Sequence, residues 1–319
     1  MRMMALITAE WDAPPEERNF DIALVALGYE PRCQWVWSTA EVTATHKIAL
    51  EFGFLQQEAY TENRSYLTQQ EFSFLIGVGA NAVGNITGFV SSLALPENGP
   101  ITVLIDISAM SREMIANALL ALNHALCGRE VIVSSAYAPS KFEEAPTFAP
   151  ISRSQPITRA LSGWSSRPEK PLGLIVGLGC EMGMALGALQ FLEPDKAWLF
   201  VPVGIDNKFD AALMEANEGI EDIFDATRFA YDIKQPSVLR AKFEALLNSV
   251  NGDYRVICIP FGPKLFAWAS LATLVFKQHH EIGVWAFSSL EQGNVTSRQA
   301  EGPIIWHTLH VSPREQCPI

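Results

Sequence analysis

DIALVALG (Asp21–Gly28) is an acid, six apolar residues and a closing glycine; GLIVGLG (Gly173–Gly179) repeats that character, and the closing glycines are 151 residues apart. A short run without polar alternation reads as a strand buried on both faces, the mark of a parallel sheet covered by helices. Glu30 and Glu181, each two residues past the glycine, keep the spacing. KIALEFG ending at Gly53 and AWLFVPVG ending at Gly204 are again 151 apart, as are EVIVSSAY from Glu130 and EIGVWAFS from Glu281. LIDISAMSREMIANALLAL from Leu104 aligns without a gap to VICIPFGPKLFAWASLATL from Val256, at 152. A near-constant offset over so many segments identifies an internal duplication.

Outward from these runs, each half alternates short β-rich stretches with longer helical ones. Strands are expected at Asp21–Leu27, Lys47–Phe52, Ile101–Ile107 and Glu130–Ala136, then at Gly173–Leu178, Ala197–Val203, Arg255–Ile259 and Ile282–Phe287. Helices are expected at Arg32–Glu41, Ala80–Leu93 and Arg112–Leu126, then at Glu181–Leu192, Lys208–Asn217, Ser237–Asn248 and Lys264–His279. Ile304–Val311 reads as an antiparallel edge strand. The pattern predicts an α/β protein of two tandem Rossmann-like, mainly parallel, doubly wound sheets with right-handed crossovers. Residues 138–171 are rich in proline and serine and lack a sustained apolar period, so they read as a linker. The halves are therefore placed at 1–150 and 151–319.

With 319 residues, 49% of them apolar, the chain has enough hydrophobic surface for two ordinary cores, which excludes a disordered protein. Lys+Arg 23 against Asp+Glu 35 gives −12, the wrong sign for a bare nucleic-acid groove or an anionic membrane surface. The N-terminal stretch, broken by acids and prolines, is not a signal peptide, and no run of ~18 uncharged apolar residues exists to span a membrane. A cytoplasmic protein is expected. The cysteines (Cys33, Cys127, Cys180, Cys258, Cys317) form no CxxC pair, and His124 near Cys127 has no further ligand beside it. Neither a zinc site nor a disulfide framework is expected, and no resident cofactor. GxxxxGK[ST], HExxH, GxSxG and EF-hand loops are all missing.

In doubly wound sheets ligands bind beyond the carboxyl ends of the strands. Four loops there carry chemistry. Gly28-Tyr29-Glu30-Pro31-Arg32 joins a tight turn to two charges; acid and proline at a helix start also suit the dipole alone. Asp106-Ile107-Ser108-Ala109-Met110-Ser111-Arg112 offers hydroxyls and a guanidinium that can grip phosphate oxygens, although Ser108 or Ser111 also serves as an N-cap. In the second half Gly262 and Lys264 stand at the matching turn, where a rigid Pro-Gly-Pro turn is the plainer reading. Gly177–Gly183 spells GxGxxxG with Gly179 and Glu181, a loose dinucleotide fingerprint in the required strand-to-helix context, for which close packing of helix on sheet is the plainer reading.

VALGYEPR (Val25–Arg32) and VGLGCEMG (Val176–Gly183), followed by LIDISAMSRE (Leu104–Glu113) and VICIPFGPKL (Val256–Leu265), resemble the two signature motifs of the CARF family, the Rossmann-like sensor domains of CRISPR-associated proteins. The resemblance implies a cyclic oligoadenylate enclosed by paired loops, with Ser108, Ser111, Arg112 and Lys264 on its phosphates, and a role in antiviral defence. The family's Thr-Gly-Gly-Thr type of turn is replaced here, and Pro260-Phe261 is foreign to it.

Three functions follow. One is a nucleotide sensor or regulator that holds a phosphate-bearing ligand between the halves and acts through a protein partner, because the repeats use nearly the whole chain. The second is a nucleotide-cleaving hydrolase or glycosidase using Glu30, Asp106 and Glu181 as general acids or bases. The third is an adaptor that docks a partner on Phe142, Phe148 and Trp164.

Overall fold

The expected strands are buried as a covered parallel sheet requires: Ile22, Ala23, Leu24 and Leu27 in one half and Leu174, Ile175 and Val176 in the other are fully shielded from solvent. The protein is described here from a computed structural model that covers residues 7–54, 56–144, 151, 153–163, 167–204, 206–279, 281–288 and 298–313. The chain divides into two units.

In the first unit the elements run β1 (Ile7–Trp11), β2 (Asn19–Leu27), α1 (Trp35–Thr39), β3 (Thr43–Glu51), α2 (Tyr60–Gln69), β4 (Ser73–Ile76), α3 (Ala82–Ser91), β5 (Ile101–Asp106), α4 (Arg112–Ala125) and β6 (Val131–Tyr137). In the second they run β7 (Arg153–Pro156), β8 (Leu172–Gly177), α5 (Met184–Leu192), β9 (Lys196–Val203), α6 (Asn207–Ala216), α7 (Ile220–Ile223), β10 (Ala226–Asp232), α8 (Pro236–Val250), β11 (Arg255–Pro260), α9 (Lys264–Phe276) and β12 (Gly283–Ser288). The last strand, β13 (Ile305–Val311), returns to the first sheet.

The sheets have one design. The first is ordered β1-β13-β6-β5-β2-β3-β4 and the second β10-β9-β8-β11-β12-β7. Numbered within each repeat, both contain the parallel order 3-2-1-4-5, followed by an antiparallel strand beside the fifth. This is the doubly wound order, in which the chain reverses direction between the first and fourth strands.

Two expectations are corrected by the sixth strand. Ile305–Val311 is antiparallel, as read, but it is not at an edge: it lies between β6 and β1. The second unit therefore does not run on through β13; among the described residues, 298–313 and Val275–Gln278 group with the first unit. The segment between the halves is also more than a linker. It carries β7, which follows β6 in the chain yet pairs with β12, while β13 follows β12 and pairs with β6. The starts of β7 and β13, at Arg153 and Ile305, are 152 residues apart, the spacing of the repeat itself. Each repeat thus gives its sixth strand to the other repeat's sheet, an exchange of identical elements within one chain. Polar β7, which ends in Pro156, suits an edge, where a missing N–H is tolerated.

Packing on the first sheet gathers Phe20, Val25, Trp37, Leu67, Leu104 and Trp306, with Trp37 edge-on to Phe72 at 4.9 Å. The second unit relies more on aromatics. Phe200 stacks on Phe229 at 5.5 Å and touches Phe243 and Phe266. Among the described residues no helix is long and apolar enough to cross a membrane.

Candidate functional site at the sheet switch points

The switch point of each sheet lies between its first and fourth strands, and the two units treat it differently. In the first, β2 pairs with β5 only from Ile22↔Val103 to Leu24↔Ile105, although β2 runs on to Leu27, still paired with β3. β5 ends one residue past that register, at Asp106, so the last three residues of β2 run on without a partner on that side and leave a fork. In the second, β8 and β11 stay paired to their last residues, Gly177↔Pro260.

The loop leaving β2 lies at the fork. Gly28 is buried, Tyr29 and Glu30 are half-buried, and Pro31 opens a 3₁₀ turn. The Glu30 carboxylate is not a helix cap; it pairs with the Arg32 guanidinium, which is 2% exposed. Arg32 also donates to the Ala138 carbonyl (3.2 Å), beyond β6. Burial opposes charge on Arg32, but Glu30 and Tyr137 outweigh it and raise its pKa. Burial likewise raises the Tyr29 phenol, with Glu30 adding to the shift and Arg298 and Arg32 opposing it.

On the other side of the fork, Asp106 accepts from the Ser108 N–H (2.9 Å) and Ser108 Oγ accepts from the Ala138 N–H (2.8 Å). Ser111 Oγ accepts from the Met114 N–H (3.1 Å), so it is the N-cap of α4, as the capping alternative had it. Glu113 reaches the Gly79 N–H at 2.7 Å. Arg112 is the first residue of α4 and is half-exposed. The two loops meet at Ala138, and Arg32, Asp106 and Ser108 are buried ties between strand ends rather than open ligand contacts. Tyr29, Glu30, Ser111 and Arg112 are the predicted residues that keep solvent access here.

Four features were not read from the sequence. Asn63, fully buried on α2, donates to the carbonyls of Gly28 (2.8 Å) and Glu30 (2.9 Å) and accepts from Gln34 (2.8 Å). Glu51 ends β3, with Arg64 and Tyr60 on its carboxylate. Beside it Phe54 (65% exposed) and Ile76 (45% exposed) leave apolar surface at the carboxyl edge. The signal for Glu51 was an acid 23 residues past Gly28, near the spacing at which this fold class places a ribose-binding acid. The fourth is Arg298, which the chain returns to this unit with β13.

In the second unit the same loops close on each other. A side chain at Gly262, whose φ is +66°, would strike the Leu178 carbonyl, and a Cβ at Gly179 would lie 2.8 Å from the Gly262 nitrogen. Gly177 gives way to the Phe266 ring, Gly187 leaves 2.8 Å to Ile151, and Gly183 starts α5 in the left-handed region. The GxGxxxG glycines are therefore spent on packing, as the plainer reading proposed. Glu181 folds back beside Gly179, and Lys264 opens α9 half-exposed, in the place Arg112 holds on α4. Asn217 matches Asn63: it donates to the Gly179 carbonyl (2.8 Å) and, unlike Asn63, leaves its buried Oδ1 without a hydrogen bond.

Cysteine and metal chemistry are not assembled in these loops. Cys33, Cys180 and Cys258 are free thiols, and burial pushes Cys258 up to about 12, far from a thiolate nucleophile. Cys127 is disulfide-bonded, where the cysteine pattern predicted no disulfide framework. Among the described residues no group of three or more His, Cys, Asp and Glu is placed to hold a metal ion. Phe142 packs edge-on to Phe209 at 4.9 Å, whereas Phe148 and Trp164 lie outside the described residues.

No family model matches the chain, and no curated protein matches it. Among solved structures, a T. thermophilus 16S rRNA methyltransferase in complex with AdoMet and guanosine is similar at 11% identity, over 93% of this chain and 89% of that one, with a TM-score of 0.19. A likeness at that level carries no argument about ligand or activity.

Proposed function

We propose that the chain is a nucleotide-binding regulator whose ligand site is the fork at the carboxyl end of the first unit's sheet. The observation that carries this reading is the asymmetry of the switch points: β2 and β5 part after Leu24 and Ile105, whereas β8 and β11 remain paired to their ends. Half-buried Tyr29 and Glu30 and half-exposed Arg112 line the loops of the fork. Phe54 and Ile76 offer a base an apolar surface, and Glu51 stands at the strand end suited to a ribose. The CARF-like order of motifs supports the same ligand class and adds an effector protein as partner.

Binding is favoured over turnover because the two carboxylates at the fork are engaged, Glu30 by Arg32 and Asp106 by the Ser108 N–H. The test is thermal unfolding with mono-, di-, cyclic and oligonucleotides, followed by chromatography of each mixture. A ligand at ~100 times its Kd adds about 2.7 kcal/mol of stability. The reading predicts such a stabilisation with the nucleotide recovered intact. A cleaved product would instead establish the hydrolase, and no stabilisation by any nucleotide would refute a nucleotide site.

A further inference from the structure

The C-terminal return that carries β13 into the first sheet also lays a short segment along the end of β6. Ser140 bridges Ala300, the Lys141 N–H donates to Gln299 (2.9 Å), and the Glu301 N–H donates to Pro139 (2.9 Å). That segment is firmly seated. Ala300 and Ile304 pack on the core of the first unit, and the neighbouring Ala138 is held at its N–H by Ser108 and at its carbonyl by Arg32.

Arg298 leads this segment, half-exposed, and among the described residues it is in no ion pair. Its charge acts on Tyr29, which follows β2. In the sheet β5 lies between β2 and β6. The Arg32–Ala138 hydrogen bond brings the β2 loop to this same end of β6, across β5, so the segment that Arg298 leads lies beside the fork. Of the other guanidinium groups there, Arg32 is buried and already paired with Glu30, and Arg112 stands on the opposite loop at the start of α4.

We infer that Arg298 is an anion-binding residue of the fork, placed to receive the phosphate group of a nucleoside monophosphate beside the Tyr29 hydroxyl. The inference rests on the nucleotide reading above and adds which part of the ligand is held and by what. A planar guanidinium suits a phosphate because two parallel N–H donors can meet two oxygens. The exchange of sixth strands then has a functional result: the second repeat's sixth strand brings a cation to the first repeat's site.

The experiment is calorimetric titration of the full chain with AMP, adenosine and inorganic phosphate, for the wild type, Arg298→Ala and Arg298→Lys, with thermal unfolding to confirm that each variant is folded. The expected result is AMP binding weakened about tenfold or more in Arg298→Ala and partly restored in Arg298→Lys, a loss of about 1.4 kcal/mol. Adenosine binding should be the same in all three. AMP bound equally by wild type and Arg298→Ala would overturn the inference and leave the nucleotide reading standing. Inorganic phosphate bound in an Arg298-dependent way, with no nucleotide bound, would keep Arg298 as an anion-binding residue, overturn its assignment to a nucleoside monophosphate and refute that reading. No binding of any of the three to the wild type would refute both.

Discussion

The two units share a strand order but not a site. At the first switch point the strands fork and charged side chains hold the loops, Arg32 tying Glu30 to Ala138 and Ser108 tying β5 to the same residue. At the second, Gly179 and Gly262 bring two backbones together and leave no room for a side chain between them. Paired asparagines show that the design is common, since Asn63 and Asn217 each clamp the carbonyl of the glycine beyond the repeat's first strand. A duplicated fold retains its scaffold through such buried ties, while one copy of the loop region can fill in and the other stay open.

The largest expected effect tests the closed switch point. Gly262→Ala must strain a left-handed backbone and part the loop from Leu178, so a loss of about 4 kcal/mol or more in chemical denaturation is expected. Gly28→Ala, whose new Cβ would lie 3.1 Å from the edge of the Phe52 ring, should cost about 1 kcal/mol. Equal costs would remove the contrast between the units.

Next comes the charged tie of the open one. Arg32→Met leaves Glu30 and the Ala138 carbonyl without their buried partner and should cost about 3–5 kcal/mol. Adding Glu30→Gln should recover part of that loss, as a double-mutant cycle will show. Strictly additive effects would mean that the pair does not hold the loop. The asparagines give a smaller contrast. Asn63→Ala forfeits three hydrogen bonds and Asn217→Ala two that include Leu213, so the first should be worse by about 1 kcal/mol.

The smallest effect is one of pH, and it belongs to the second unit. The His279 side chain and Asn251 draw the Glu281 carboxyl down to about 2, against the pull of burial. A carboxyl whose folded pKa is depressed stabilises the fold above its unfolded value and loses that contribution as pH falls through the folded one. Stability should therefore decline between about pH 4.5 and 2, by less than ~1 kcal/mol for so exposed a pair, and Asn251→Ala should flatten that decline. An unchanged acid limb in the variant would show that Glu281 is not tied in this way.

The buried parallel strands were legible because DIALVALG and its repeats carry no polar alternation, so their type follows from composition. The third strands were not. β4 has only four residues, and β10 (ATRFAYD) is an edge strand with Thr227, Arg228 and Ala230 exposed, which dilutes its apolar signal. α2 (YTENRSYLTQ) buries only Tyr60, Asn63 and Leu67 and has no apolar stripe to reveal it. The strand exchange was hidden for another reason: residue pattern identifies a strand, but pairing partners lie far away in the chain. Within the site, the loops at Gly28 and Asp106 were found because strand ends followed by charge are local signals. Arg298 was not, because the segment that carries it lies more than 150 residues from β6, beside which it folds.

The most direct test of an open first site and a closed second one is amide chemical-shift mapping of the full chain titrated with AMP. The account predicts shifts at Gly28–Arg32, Asp106–Arg112 and Arg298–Glu301, with Gly179–Gly183 and Gly262–Lys264 unmoved. Shifts centred on the second pair of loops, with the first pair silent, would contradict it.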